Sequence, residues 1–166
     1  MHAYRTEHFE HSGRRFVAEY YVDEDMGPPW KVHDGHGPVS DWTRRDKRPG
    51  ERVLCEDRGA RRYYDWQAAC KLARKDGWNV EPFDAPNRIE RAVQADFDRL
   101  RAWCNDEWHW CGVSVRLDGA DENFYHALWG IESDAGGYFE EVREELADEC
   151  LADEDRARHP VRDVGV

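Results

Sequence analysis

Nowhere does the chain hold an apolar run near the ~20 residues that a membrane-spanning helix needs. Its opening residues, Met1-His2-Ala3-Tyr4-Arg5, lack the apolar stretch of an export signal. A cytoplasmic protein without membrane association is therefore expected. Cysteine is sparse: Cys55, Cys70, Cys104, Cys111 and Cys150 are odd in number and include no C-x-x-C spacing. Such thiols read as reduced and mostly as core filler. The phosphate-cradling glycine loops, the G-x-S-x-G elbow and the H-E-x-x-H zinc helix are all missing. Carboxylates are so abundant that no pair of them marks acid–base catalysis. No catalytic residue is assigned on this basis, no cofactor is expected, and a binding protein is expected ahead of an enzyme.

What is present is charge and aromatic bulk. Of the 166 residues 36% are charged and 13% aromatic, with eight Trp. The charge demands a very polar surface, and the aromatics argue against disorder, because large apolar groups offset the entropy of ordering. The length suits one domain. The expectation is a single domain over residues 1–156 and a flexible tail over residues 157–166. The fold class is α+β, a mostly antiparallel sheet with about three helices on one face.

Residues 15–22 are rich in β-formers, with Phe16, Ala18, Tyr20 and Val22 on one face. Residues 30–33 read as a short strand after the Pro28-Pro29 break, and residues 33–38 as a loop. Two strands at residues 52–56 and 61–64 flank a tight Arg58-Gly59 turn. Asp65 caps a helix over residues 66–76, which Gly77 ends. A second helix follows Pro86, with Asn87 and Glu90 as a capping-box-like pair and Ile89, Val93, Phe97 and Leu100 as its apolar stripe. Residues 108–117 alternate as a strand. Residues 123–132 return with Tyr125, Ala127, Trp129 and Ile131 on one side. The last helix, residues 138–153, turns Phe139, Val142, Leu146 and Cys150 to the core.

The net charge of −12 is concentrated at one end: residues 118–166 hold 15 acids and 4 bases. On the last helix Glu140, Glu141, Glu144, Glu145, Asp148 and Glu149 occupy the non-core positions, with Arg143 alone among them. Glu140–Glu144, Glu141–Glu145, Glu144–Asp148 and Glu145–Glu149 are like-charge i,i+4 pairs, each costing roughly 0.2–0.5 kcal/mol at low salt. Two acids per ~5.4 Å turn is one charge per ~2.7 Å, against one per ~1.7 Å of B-DNA axis. Such a face can imitate a phosphate strand toward a basic groove. The plain alternative is a solvated face that keeps the protein dispersed.

Residues 44–62 carry the opposite sign, eight bases against four acids. Arg44, Arg45, Lys47 and Arg48, with Trp42 and Tyr63 near, offer an alternative nucleic-acid-binding surface. Pairing with the chain's own acids is the preferred reading, so direct nucleic-acid binding is not expected. His33 and His36 on the Gly/Pro loop are a second alternative, as metal ligands or as the base of a small metal-dependent or hydrolytic enzyme. Two His from one loop are hard to aim at one ion, and no metal site is assigned. Trp30 and Trp42 flank this loop and are candidate interface aromatics.

Residues 30–42 with the His33-Asp34-Gly35-His36-Gly37 core, residues 48–59 (Arg-Pro-Gly-Glu-Arg-Val-Leu-Cys-Glu-Asp-Arg-Gly) and Trp129-Gly130-Ile131-Glu132-Ser133 resemble small accessory proteins encoded by bacteriophages and prophages. No activity is assigned to that group, so no functional residue carries over. The resemblance implies a setting, the bacterial host cytoplasm. Context and charge together suggest an inhibitor of host defence, antirestriction- or anti-CRISPR-like, that meets a basic host protein surface as a DNA mimic.

Overall fold

The computed structural model describes residues 1–160. In chain order the elements are β1 (Arg5–His11), β2 (Arg14–Val22), α1 (Pro29–Val32), β3 (Glu51–Asp57), β4 (Ala60–Asp65), α2 (Trp66–Asp76), α3 (Arg88–Cys104), β5 (Trp110–Leu117), β6 (His126–Glu132) and α4 (Tyr138–Arg158). The class is α+β with every named strand pair antiparallel. Among the described residues no helix is long and apolar enough to cross a membrane. The chain divides into two compact units, one built from Met1–Asp25 with His109–Val166, the other from Met26–Trp108.

The first unit is a four-stranded sheet in the order β1-β2-β5-β6, covered on one face by α4. Phe16, Ala18 and Tyr20 of β2 point to that face beside Cys111, Val113 and Val115 of β5. The register pairs Ala18 with Val115 and Tyr20 with Val113. Val142, Leu146, Ala147 and Cys150 close the core from α4. Each large side chain buried here contributes ~1.5–3 kcal/mol relative to exposure.

β1 has no counterpart in the sequence reading. Its Arg5-Thr-Glu-His-Phe-Glu-His run is polar except for Phe9 and carries charge at Arg5, Glu7 and Glu10, which suits an edge strand that must not recruit another chain. Ser12 and Gly13, at φ 51° and 73°, make the tight turn into β2. At the other edge, the expectation that Trp129 and Ile131 share a face is wrong. Gly130 takes φ 74° within a break of the β5–β6 register, and the extra residue separates the two. Ile131 is buried at 4% exposure, while Trp129 stays 43% exposed. Residues 123–125 precede the strand and do not belong to it. The last helix runs on through Arg158, so residues 157 and 158 of the expected tail are helical. Residues 161–166 of that tail lie outside the described residues.

The second unit centres on the β3–β4 hairpin. Its turn places Arg58 and Gly59 at φ 50° and 83°. Leu54 and Tyr64 of the hairpin meet Ala69 and Ala73 of α2 and Val93, Phe97 and Leu100 of α3. Asp65 caps α2 by accepting a hydrogen bond from the Ala68 amide, and Gly77 ends the helix in the left-handed region. Two expectations fail here. Residues 29–32 form a helical turn and not a strand, because Pro29 sits at the first helical position, where its fixed φ and missing N–H favour a helix start. Asn87 sits at φ 58° and makes no side-chain cap, so the capping box with Glu90 does not form.

Candidate functional site

The buried stripe of α4 dictates what its other side presents. With Val142, Leu146, Ala147 and Cys150 against the sheet, Glu140, Glu141, Glu144, Glu145, Asp148 and Glu149 are all exposed. The only base among them does not join that face. Arg143 is half-buried and turns to β1, where it pairs with Glu7, lies over the Phe9 ring and donates to the Tyr20 hydroxyl at 3.3 Å. Burial works against its charge, and its pKa is lowered accordingly. Its contact with Glu140 is loose, at 3.9 Å.

Bases do reach α4, but toward its C-terminal half. His11 of β1 contacts Asp148 at 2.7 Å. His126 of β6 stands between Glu149, at 2.8 Å from Nδ1, and Asp153, against Nε2. Hydrogen bonding from His126 holds the Asp153 carboxyl below its usual range. Arg14 grips Glu154 with two nitrogens at 2.8 and 3.0 Å, and that fork lowers the Glu154 carboxyl likewise. Arg158 adds a contact to Glu154, and Arg156 one to Asp153. Among the described residues Glu141, Glu144 and Glu145 form no ion pair. They are the part of the face without an ion pair, although Glu144 still feels the charge of Arg143. The strand positions of His11 and His126 gave no sequence signal, because their partners lie 137 and 27 residues away.

Beside this half of α4 lies an open groove of about 610 Å³, lined by Leu117, Phe124, Tyr125, His126 and Cys150 among others. Phe124 and Tyr125 on the β5–β6 connection are 75% and 54% exposed. Trp129 spreads over Gly112, where a Cβ would fall 2.2 Å from its ring, and meets the Tyr21 ring at 5.8 Å.

In the second unit, Trp30 and Trp42 hold the Arg62 guanidinium between their rings, at 4.9 and 4.6 Å. Trp30 also meets Trp103 edge-on. Trp42 remains 44% exposed. Much of the basic stretch is engaged locally. Arg45 forks onto Glu51 at 2.8 and 2.7 Å and lies over the Tyr63 ring. That fork, with the Arg48 amide, pulls the Glu51 carboxyl down to about 2. Arg52 lies 3.5 Å over the Trp66 ring, and Arg61 pairs with Glu56 at 3.1 Å. Arg44, Lys47 and Arg48 form no ion pair among the described residues. Of the four cations considered for nucleic acid, Arg45 is thus already bound to a carboxylate.

The His33–His36 loop is anchored by Asp96 of α3. That carboxylate takes the His36 Nδ1 at 2.6 Å, the Gly37 amide at 2.8 Å and the buried Tyr64 hydroxyl at 2.7 Å. Burial, then the Asp96 charge, pushes the Tyr64 phenol far up. Three donors on one carboxylate make a loop anchor, and Asp96 is the partner the sequence reading did not connect to His36. Among the described residues no group of three His, Cys, Asp or Glu side chains is placed to hold a metal ion.

No known family, no curated protein and no solved structure matches the chain.

Proposed function

We propose that the chain is a non-enzymatic accessory protein of a bacteriophage or prophage. It docks the acidic face of α4 on a basic, nucleic-acid-binding surface of a host protein, as an antirestriction or anti-CRISPR inhibitor does. The observation that carries this reading is the row Glu141, Glu144 and Glu145, exposed and in no ion pair among the described residues. A helix shaped by stability alone would intersperse cations, since like-charge i,i+4 pairs oppose folding. Here Arg143 is directed to Glu7, and the row is left bare. The phage setting rests on the resemblance of residues 30–42, 48–59 and 129–133. The nucleic-acid alternative is weakened by the carboxylate and aromatic partners of Arg45, Arg52, Arg61 and Arg62.

The test is competition. Purified protein is titrated into host restriction enzymes and CRISPR effector complexes preloaded with labelled duplex DNA, and DNA release is followed. Release by the wild type, lost when Glu141, Glu144 and Glu145 become Gln, supports the reading. Equal release by the triple variant, or none by the wild type against any such complex, counts against it.

A further inference from the structure

We propose that Cys55 and Cys104 form a peroxide-reactive dithiol site, with Cys55 as the attacking thiolate and Cys104 as the resolving thiol. Cys55 lies on β3 directly across from Arg62 on β4. Cys104 is the last residue of α3. Arg101, one turn earlier, fastens that helix end to β3, donating to the Leu54 carbonyl at 3.3 Å and the Val53 carbonyl at 2.8 Å. Cys55 and Cys104, 49 residues apart in sequence, are thereby packed against one and the same core cluster. Neither residue is fully buried, so a small reagent can reach the pair.

The second observation is Arg62. Its guanidinium is held between two indole rings, and its Nε is buried without a hydrogen-bond partner among the described residues. Arg62 forms no ion pair with a carboxylate there. A cation so placed favours a nearby anion, and the Cys55 sulfur is the ionisable group across the strand. The Cys104 S–H donating to it, then Arg62 and Arg101, outweigh burial and bring the Cys55 thiol down to about 7. Cys104 is pushed up by the same contact and by burial, and the negative end of the α3 dipole also disfavours a thiolate there. Cys111 and Cys150, buried in the other unit, are raised mainly by burial.

The chemistry balances with one hydroperoxide. The Cys55 thiolate attacks a peroxide oxygen, the O–O bond breaks, and the departing hydroxide takes a proton and leaves as water. This gives the Cys55 sulfenic acid. The Cys104 sulfur then attacks Cys55 sulfur, the S–O bond breaks, and the hydroxyl leaves with the Cys104 proton as a second water. Two thiols are oxidised to one disulfide and one peroxide is reduced to two waters.

The experiment treats the folded protein with a small excess of hydrogen peroxide at pH 7, blocks residual thiols and maps the peptides by mass spectrometry. A Cys55–Cys104 cross-link forming before Cys70, Cys111 or Cys150 is modified is expected. In Cys104→Ser the reaction stops at a sulfenic acid on Cys55, captured by dimedone. Iodoacetamide labelling of Cys55 in that variant and in Arg62→Gln shifts its pH midpoint upward from the wild-type value near 7. The wild-type mapping needs no variant to fold. Oxidation beginning elsewhere, a Cys55 sulfenic acid that never cross-links to Cys104, or a wild-type labelling midpoint at the ~8.5 of a free thiol would overturn the proposal.

Discussion

Arg143, the one base among residues 140–149 of α4, pairs with Glu7 on β1 and points away from the acids that surround it in sequence. Of the six exposed carboxylates on this helix, Asp148 and Glu149 meet His11 and His126, while Glu141, Glu144 and Glu145 form no ion pair among the described residues because the arginine within the stripe is used elsewhere. The arrangement separates two roles that sequence alone merges. Arg143 belongs to the sheet packing, and the acidic row belongs to the solvent.

Arg143→Ala should therefore lower stability without weakening partner capture. It strips one of the two cations from the half-buried Glu7, leaving Arg5 on the other oxygen, and removes a donor from Tyr20, a loss of roughly 1–3 kcal/mol in urea unfolding. A change under roughly 0.5 kcal/mol, the range of ordinary surface positions, would mean that the pair is only a surface contact.

Replacing Glu141, Glu144 and Glu145 by Gln should do the reverse. All four like-charge i,i+4 pairs lose at least one member, so the folded state should gain roughly 1 kcal/mol at low salt. The gain should fade in molar salt, where screening falls to ~3 Å. Destabilisation at low salt would show that these acids have favourable partners.

Acid stability should reveal the Arg45–Glu51 fork. The Glu51 carboxyl is held at about 2 when folded, below its usual 4.5. A depressed carboxyl contributes stability fully above its unfolded pKa and loses it as pH falls through the folded value. The difference in urea midpoint between wild type and Glu51→Gln should shrink steadily between about pH 4.5 and about pH 2. A difference constant over that window would detach Glu51 from the acid response.

Gly37→Ala should be among the more damaging small substitutions. A Cβ there would stand 2.4 Å from both Cζ and the hydroxyl of the buried Tyr64, whose ring cannot withdraw without pulling that hydroxyl off Asp96. Overpacking of this kind costs roughly 1–3 kcal/mol. Tyr64→Phe removes one of three donors to Asp96 and should cost roughly 1 kcal/mol. In the Tyr64→Phe background the Gly37→Ala penalty should fall, and purely additive losses in thermal unfolding would refute the coupling.

Where local chemistry decided the outcome, sequence and structure coincide. Asp65 and Gly77 bracket α2 because a side-chain acceptor and a residue tolerant of φ 67° are written at its two ends. The inward stripe of α4 followed from spacing, and with it the exposure of all six acids. What escaped was non-local or depended on one odd residue. β1 escaped because polar residues fill it around Phe9, as suits an edge strand, and leave no apolar alternation to read. The face swap at Trp129 hangs on the single bulge at Gly130. The contacts of His126 with α4, of Asp96 with His36 and of Cys104 with Cys55 join distant segments, so no spacing rule announces them.

The central claim is that the bare row on α4 is a docking surface. Its most direct test is the salt dependence of affinity for a captured host protein, compared between wild type and the Glu141, Glu144, Glu145 triple Gln variant. The account predicts wild-type binding that weakens steadily as salt rises, and a triple variant that remains folded, binds far more weakly and has lost most of that salt slope. Wild-type affinity and slope retained by the triple variant would contradict it and leave the acidic face as a solvated surface.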